Sequence, residues 1–183
     1  MRTTVFIDIG ELLTLRQAAR KEGRHPVEAD LSIIRKAAIV CRAGQIAWVG
    51  SSAKIPKAFR SGCEEISLQG MTVLPGLAEC HTHLVFAGSR ADEFELRCNG
   101  ATYSEIAEKG GGIISTVRAT RRASLTELSR LAQQRAEKFI GQGVTTIEAK
   151  SGYGLRVADE LKMLRAARSI RGPRVVTTYL GPH

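Results

Sequence analysis

One stretch decides the fold of this chain: Pro75-Gly76-Leu77-Ala78-Glu79-Cys80-His81-Thr82-His83. Its apolar start after Pro-Gly predicts a strand, and side chains two residues apart on a strand point to the same face. His81 and His83 therefore share one face, while Cys80 and Thr82 point to the other. Two imidazoles so placed can bind one metal ion through their ring nitrogens. Histidines that merely end a strand and make local hydrogen bonds have the same spacing, so the surrounding sequence must decide.

Length and composition are those of an ordinary globular protein. The 183 residues suffice for one domain or one domain with a small appendage, and 43% are apolar while 25% are charged. No apolar run approaches the roughly 18 residues of a membrane span, and Asp8 comes too early for a secretory signal. The four cysteines form no C-x-x-C pair, which argues against a zinc knuckle or a disulfide framework and favours a cytoplasmic location.

The net charge of +9 raises the question of a nucleic-acid partner. The basic residues are scattered along the chain, however, and aromatic residues, at 5%, do not interleave with them as a base-stacking surface requires. A solvated basic face is therefore the favoured interpretation, and a non-catalytic basic module that binds nucleic acid or a protein is kept as an alternative.

The predicted secondary structure of the first part is rich in short strands and turns. Strands are predicted at residues 37–41, 46–49, 64–68 and 72–75, and the first two form a hairpin around a glycine turn. This pattern indicates a small β domain packed beside something larger.

From Leu77 onward the pattern predicts strands that alternate with helices. Ser124 and Glu127 form a capping box at the start of a helix that glycines end near residue 141. The following elements are a strand at 144–149, a helix at 157–171 and a strand at 174–180, as expected for a parallel α/β sheet. Residues 77–183 thus hold about three β/α units, whereas a closed barrel needs eight and typically about 250 residues. Either this is a small open α/β domain or it is the first part of a barrel, and the β domain leading into His-x-His favours the barrel.

A long connection, residues 84–123, separates the first of these strands from the capped helix. We expect it to contain a short helix at Tyr103–Glu108, and loops of this length after barrel strands supply substrate contacts. Arg90 in this connection can clamp a carboxylate through two parallel hydrogen bonds, although a salt bridge to Asp92 or Glu93 is slightly favoured. Gly110-Gly111-Gly112 permits a close approach to a ligand or a sharp turn, and is a weak signal alone.

Three further candidates follow the second and third strands. Tyr153, flanked by glycines, either holds its hydroxyl over the barrel mouth or merely covers the core, and the two readings are equally supported. Lys150 can bridge metal ions if carbamylated, but a structural ion pair is favoured. His183 comes after the third strand, again at the functional end.

Taken together these residues resemble the amidohydrolase superfamily of metal-dependent hydrolases and, within it, the imidazolonepropionase family. The resemblance runs from about residue 37 to residue 183. It is carried by residues 74–77, 81–90, 110–118, 143–146, 150–155 and 160–165. His-x-His marks only the superfamily, whereas Ser-Gly-Tyr-Gly-Leu with the Gly-Gly-Gly-Ile segment points to the narrower family.

The resemblance implies an α/β fold. Residues 1–73 would be the N-terminal part of a composite, small β-sandwich-like domain, and residues 74–183 the first three or so β/α units of a TIM-like (β/α)₈ barrel. It implies hydrolysis of 4-imidazolone-5-propanoate to N-formimidoyl-L-glutamate, a reaction that needs one zinc or iron ion held in part by His81 and His83. Substrate contacts would come from four residues: Arg90 to the propionate carboxylate, Tyr103 and Tyr153 by hydrogen bonds, and His183 to the ring carbonyl, which it would polarise.

Two departures from the family pattern lie close to the expected site. Glu79 stands where an Asp is usual, and Gly181-Pro182-His183 replaces Gly-Ala-His. The family's third metal histidine, its metal aspartate and its general-base glutamate all come later than residue 183. We therefore expect an N-terminal part that is inactive alone. A deaminase, another cyclic amidase, or a degenerate subunit completed by another chain stay open as alternatives, as does a homodimer of the complete protein.

Overall fold

In the computed structural model, which describes residues 2–108 and 110–181, the chain divides into two units, Met1–Pro75 and Gly76–His183. The first unit is built on one five-stranded sheet. Its strands are β1 (Thr3–Leu13), β2 (Ile33–Arg42), β3 (Gln45–Ser51), β4 (Glu64–Ser67) and β5 (Thr72–Val73). The order is β3-β2-β1-β4, with β5 also pairing with β1. The described residues of this unit contain a single sheet, so the sandwich-like arrangement stays a prediction.

The predicted hairpin is confirmed, because β2 and β3 pair antiparallel around a turn at residues 43–44. The strand β1 is longer than the short strands expected for this part of the chain, since it spans 11 residues. Its register shifts between Phe6 and Ile9, where Asp8 has a φ of 54°. This bulge breaks the alternation by which a strand is recognised from sequence. A one-turn helix, α1 (Arg16–Arg20), also went unpredicted.

Asp30 is the buried carboxylate of the first unit. Its Oδ2 accepts hydrogen bonds from Lys21 Nζ and from the backbone N–H of Val27, both at 2.8 Å. These two bonds hold the pKa of Asp30 below its ordinary value, against the opposing effect of burial.

The second unit has a three-stranded parallel sheet in the order β6-β7-β8. The strands are β6 (Leu77–Thr82), β7 (Val144–Lys150) and β8 (Arg174–Thr178). Two helices follow the strand-helix alternation, α5 (Leu125–Gly141) and α6 (Val157–Arg168). Three shorter helices lie between β6 and α5: α2 (Ala91–Cys98), α3 (Tyr103–Glu108) and α4 (Ile113–Arg122).

The helix α5 begins as its sequence predicts. The Ser124 hydroxyl accepts a hydrogen bond from the backbone N–H of Glu127 at 3.1 Å, which satisfies one of the amides that a helix start leaves unpaired. Its buried residues Leu128 and Ala132 belong to the same core as Ile147 of β7. The helices therefore cover one face of the sheet, and alternation leaves the other face for polar residues.

Three sequence predictions for this unit need correction. The second long helix ends at Arg168 rather than residue 171, and the last strand ends at Thr178 rather than residue 180. The connection over residues 84–123 contains α2 and α4 in addition to the predicted α3. Some of the residues that α4 buries are polar. Thr120 is fully buried, and its hydroxyl accepts a hydrogen bond from the N–H of Ala87 at 3.1 Å.

Within the described residues, no helix combines the length and the apolar character that a bilayer crossing requires. His183, a candidate from the sequence, lies outside the described residues.

Candidate functional site

The polar face of the second sheet carries the candidate site. Ile147 and Ala149 of β7 are buried under the helices, so Glu148, between them, points to the opposite face. The neighbouring strand β6 is locked to β7 by Thr82, whose hydroxyl donates a hydrogen bond of 2.7 Å to the backbone carbonyl of Glu148. The residues on either side of Thr82 are the two histidines.

His81 and His83 lie side by side, with ring centroids 6.0 Å apart and planes at 64°. With metal–nitrogen distances of about 2.1 Å, two imidazole centroids on one tetrahedral ion lie about 5.3 Å apart, and about 6.5 Å apart only if the two bonds are collinear. The observed separation lies between these values, so the two rings are near the spacing of two ligands on one ion. Among residues 2–108 and 110–181, no three His, Cys, Asp or Glu side chains come together as a metal cluster, and catalytic zinc takes three protein ligands. A metal site that uses His81 and His83 would therefore need at least one ligand besides these two.

Glu148 holds a small charged network beside His81. Its Oε1 accepts a hydrogen bond from Lys150 Nζ and one of 2.6 Å from the Thr178 hydroxyl. Burial raises the pKa of Glu148, but these two hydrogen bonds and the positive charges of Lys150 and His81 outweigh it. The pKa lies below its ordinary value. Glu148 is consequently an anion at neutral pH.

The sequence did not single out Glu148, although its place in an apolar strand, two residues before Lys150, was the available signal. The structure places Lys150 in an ion pair with Glu148, the interpretation favoured over carbamylation. The second carboxylate oxygen, Oε2, is buried and accepts no hydrogen bond from the described residues.

Tyr153 lies against the second histidine. Its ring centroid is 5.1 Å from that of His83, at an interplanar angle of 44°, and 6.1 Å from that of Phe86. The loop that carries Tyr153 is tied to the end of β8, because the Ser151 hydroxyl accepts a hydrogen bond of 3.0 Å from the N–H of Leu180. The structure thus brings Tyr153 to the histidine pair.

Arg90 and Tyr153 line the same cavity of about 410 Å³, together with Phe86, Gly88, Ser89, Thr116 and Arg135. Arg90 Nε donates a hydrogen bond of 2.7 Å to Glu93 Oε2, which confirms the favoured salt bridge. Its side chain is 43% exposed. An Nε contact leaves the terminal nitrogens of a guanidinium able to bind a carboxylate end-on.

Tyr103 and the three glycines form a separate group. Tyr103 is exposed and its hydroxyl lies close to Gly112. Gly112 has a φ of 75°, and its N–H donates a hydrogen bond of 2.9 Å to Glu93 Oε1. A side chain at Gly111 would overlap Ile106. The glycines therefore allow a sharp turn into α4, and the structure does not place Tyr103 among the residues that line the cavity of Arg90 and Tyr153.

Arg135 stabilises the segment next to the candidate site, and it was not predicted from the sequence. Its Nη1 donates hydrogen bonds to the backbone carbonyls of Leu84, at 2.9 Å, and Phe86, at 2.8 Å. Its guanidinium carbon is 3.5 Å from the centroid of the Phe86 ring. Burial lowers the pKa of Arg135, but a guanidinium stays charged at any physiological pH. This side chain fixes the segment that directly follows His83.

Comparison with known proteins finds relatives along nearly the whole chain. The chain is 52% identical over 178 residues to the imidazolonepropionase of Bdellovibrio bacteriovorus, covering 96% of this chain and 42% of that protein. It is 45% identical over 184 residues to that of Symbiobacterium thermophilum, covering 98% and 43%. The chain spans less than half the length of these relatives. The resemblance to imidazolonepropionases that its motifs predict is confirmed.

Two solved hydrolases have a similar fold. A triazine hydrolase from Arthrobacter aurescens matches with a TM-score of 0.56 and 16% identity, over 98% of this chain and 36% of that one. A mutant atrazine chlorohydrolase from the same organism, solved with zinc and atraton, matches with a TM-score of 0.51 and 16% identity, over 96% and 35%. At these identities the likeness shows the fold alone, which is α/β. The chain matches no protein-family model.

Proposed function

We propose that this chain, which resembles imidazolonepropionases over nearly its whole length, forms part of a metal-dependent hydrolase that opens a cyclic amide. The proposed substrate is 4-imidazolone-5-propanoate, and the product is N-formimidoyl-L-glutamate. One observation carries the proposal: His81 and His83 are close enough to share an ion, and Tyr153 beside them lines a cavity that Arg90 also lines.

His81 and His83 would hold the metal ion, zinc or iron. When bound, such an ion would supply Lewis acidity toward the ring carbonyl and would lower the pKa of its bound water to about 7. The anionic Glu148 lies close enough to His81 for electrostatic interaction, and its negative charge would favour a metal cation bound there. We propose that the further metal ligands and the general base belong to the greater part of the relatives' length that this chain does not span.

The carboxylate of the substrate would bind Arg90. Glu93 occupies Nε and keeps the guanidinium plane fixed, so that the terminal nitrogens can form two parallel hydrogen bonds with the propionate. Tyr153 would donate a hydrogen bond to the ring beside His83. Tyr103, on α3, would donate a further hydrogen bond to the substrate. To do so it must approach the cavity that Arg90 and Tyr153 line. His183 would polarise the ring carbonyl.

A complete protein, expressed from the full reading frame and loaded with zinc or iron, tests the proposal. We expect it to consume 4-imidazolone-5-propanoate with release of N-formimidoyl-L-glutamate, and we expect residues 1–183 alone to be inactive. The variant Arg90→Lys should raise KM for this substrate, because a lysine cannot bind a carboxylate bidentately. The control is Arg97→Lys, in the helix α2 that directly follows Arg90, and it should leave KM unchanged. Hydrolysis of aminated rings or of other cyclic amides in its place would instead support the alternative amidohydrolase functions. Rapid turnover by residues 1–183 would contradict the proposed sharing of the site with further sequence.

A further inference from the structure

Glu160 is a buried carboxylate that the proposed chemistry does not use. The residue is 1% exposed and lies in the first turn of α6. Its Oε2 accepts a hydrogen bond of 2.6 Å from the N–H of Gly152, and its Oε1 accepts two of 2.7 Å from the N–H groups of Gly154 and Leu155. All three donors belong to one short loop, and bonds of this kind, with an ionised acceptor, are about twice as strong as neutral ones.

The loop has a shape that depends on this acceptor. Leu155 has a φ of 54°, a conformation that L-residues other than Asn and Asp rarely adopt. Gly154 approaches the start of α6 so closely that a β-carbon on it would lie 2.6 Å from the backbone nitrogen of Glu160. Three N–H groups converge on one carboxylate in this arrangement, and the hydrogen bonds from Gly152 and Gly154 are buried. Without the carboxylate, buried donors would be left unsatisfied.

Tyr153 lies between the two glycines that Glu160 binds. Its ring packs on His83 and Phe86, so the backbone on both sides of the ring is held by the same side chain. We propose that Glu160 is a positioning residue for Tyr153, which fixes the loop over residues 151–155 so that the tyrosine ring stays against His83. The effect on catalysis rests on the function proposed above, whereas the effect on the position of the ring does not.

The first experiment measures the position of the ring directly. The complete protein is labelled with 3-fluorotyrosine, and the fluorine resonance of Tyr153 is assigned by its loss in Tyr153→Phe. We expect Glu160→Gln to shift and broaden this resonance, because an amide NH₂ cannot accept the hydrogen bonds that one carboxylate oxygen accepts. Glu137→Gln is the matched control, since Glu137 is exposed on α5 and its carboxylate accepts a hydrogen bond of 3.2 Å from Gln133 of the same helix. An unshifted Tyr153 resonance in Glu160→Gln would overturn the proposal.

Circular dichroism first shows whether each variant is folded. If Glu160→Gln does not fold, Glu160→Asp replaces it, because the shorter side chain keeps the charge and withdraws the carboxylate by about 1.5 Å. The same shift of the Tyr153 resonance is expected, and its absence has the same consequence.

The second experiment separates positioning from a general loss of structure. A residue that acts only through Tyr153 should lose its effect when the tyrosine hydroxyl is removed. We expect Glu160→Gln to lower kcat/KM for 4-imidazolone-5-propanoate by about tenfold, but by less than about twofold in a Tyr153→Phe background. Equal losses in both backgrounds would overturn the proposal. A shifted fluorine resonance in a protein that does not act on this substrate would support positioning by Glu160 and reject the proposed function.

Discussion

Replacing Arg135 by Met should destabilise the second unit more than any exposed charge on the same helix. The guanidinium of Arg135 donates two hydrogen bonds to backbone carbonyls, of Leu84 and Phe86, and lies over the Phe86 ring. Met keeps most of the apolar side chain and removes all three interactions. The two carbonyls then lose their charged donor.

The magnitude follows from these contacts. A hydrogen bond to a charged group contributes about 1.5–3 kcal/mol, and a partly buried cation–π contact contributes about 1 kcal/mol. Because the three share one side chain, their effects are not additive. We therefore expect Arg135→Met to lower the free energy of unfolding by about 3 kcal/mol.

Urea unfolding followed by far-ultraviolet circular dichroism measures this loss, since the helices α2 to α6 give the second unit its helical signal. Arg130→Met is the control, because Arg130 is an exposed residue of α5 whose Nη1 donates a hydrogen bond to Gln134 on the same helix. For this variant we expect a loss of less than about 0.5 kcal/mol. A loss below about 1 kcal/mol for Arg135→Met, or equal losses for both variants, would refute the role given to Arg135.

Three further perturbations test other parts of the molecule. His83→Ala should remove most of the bound zinc from the complete protein in metal analysis, whereas Cys80→Ser, at the residue before His81, should leave it; equal zinc contents in both would contradict the ligand assignment. The pKa of Asp30 is lower in the folded state than in the unfolded state. The contribution of Asp30 to the free energy of unfolding is therefore complete above about pH 5 and is lost as the pH falls through the folded-state pKa. Unfolding measured from pH 6 to pH 2 should therefore show a weaker loss of stability for Asp30→Asn than for the unaltered protein or for Glu65→Gln, an exposed control, and identical pH profiles would refute this. Ser124→Ala removes the cap of α5 and should cost about 1 kcal/mol in thermal unfolding, so an unchanged melting temperature would count against the cap.

The sequence predicted those elements whose signals are local. The capping serine of α5 binds its own helix start, and the hairpin of β2 and β3 is specified by alternation and a glycine turn. The strand β1 was recognised poorly, because a bulge at Asp8 shifts its register and its partners β4 and β5 come more than fifty residues later.

The candidate site divides in the same way. The spacing of His81 and His83 predicted a pair, and the structure brings their rings to a centroid distance of 6.0 Å, although the register of β6 shifts between Glu79 and Thr82. The salt bridge of Arg90 with Glu93 lies within one helical turn. Glu148 and Arg135 act on residues of other strands and loops, so their importance depends on tertiary contacts that no spacing in the sequence reveals.

The buried place of Glu160 on α6 has a consequence for engineering. The same helix contributes Met163, Ala166 and Ala167 to the hydrophobic core, so core packing sets the position of α6. Glu160 in the first turn of α6 binds the loop that carries Tyr153, so the position of the helix also affects that loop. A redesign that enlarges or trims these core residues moves α6, and the tyrosine moves with it. Stabilising substitutions are better introduced on the exposed face of α5, where Arg130 and Gln134 lie, because changes there leave the geometry around His83 as it is.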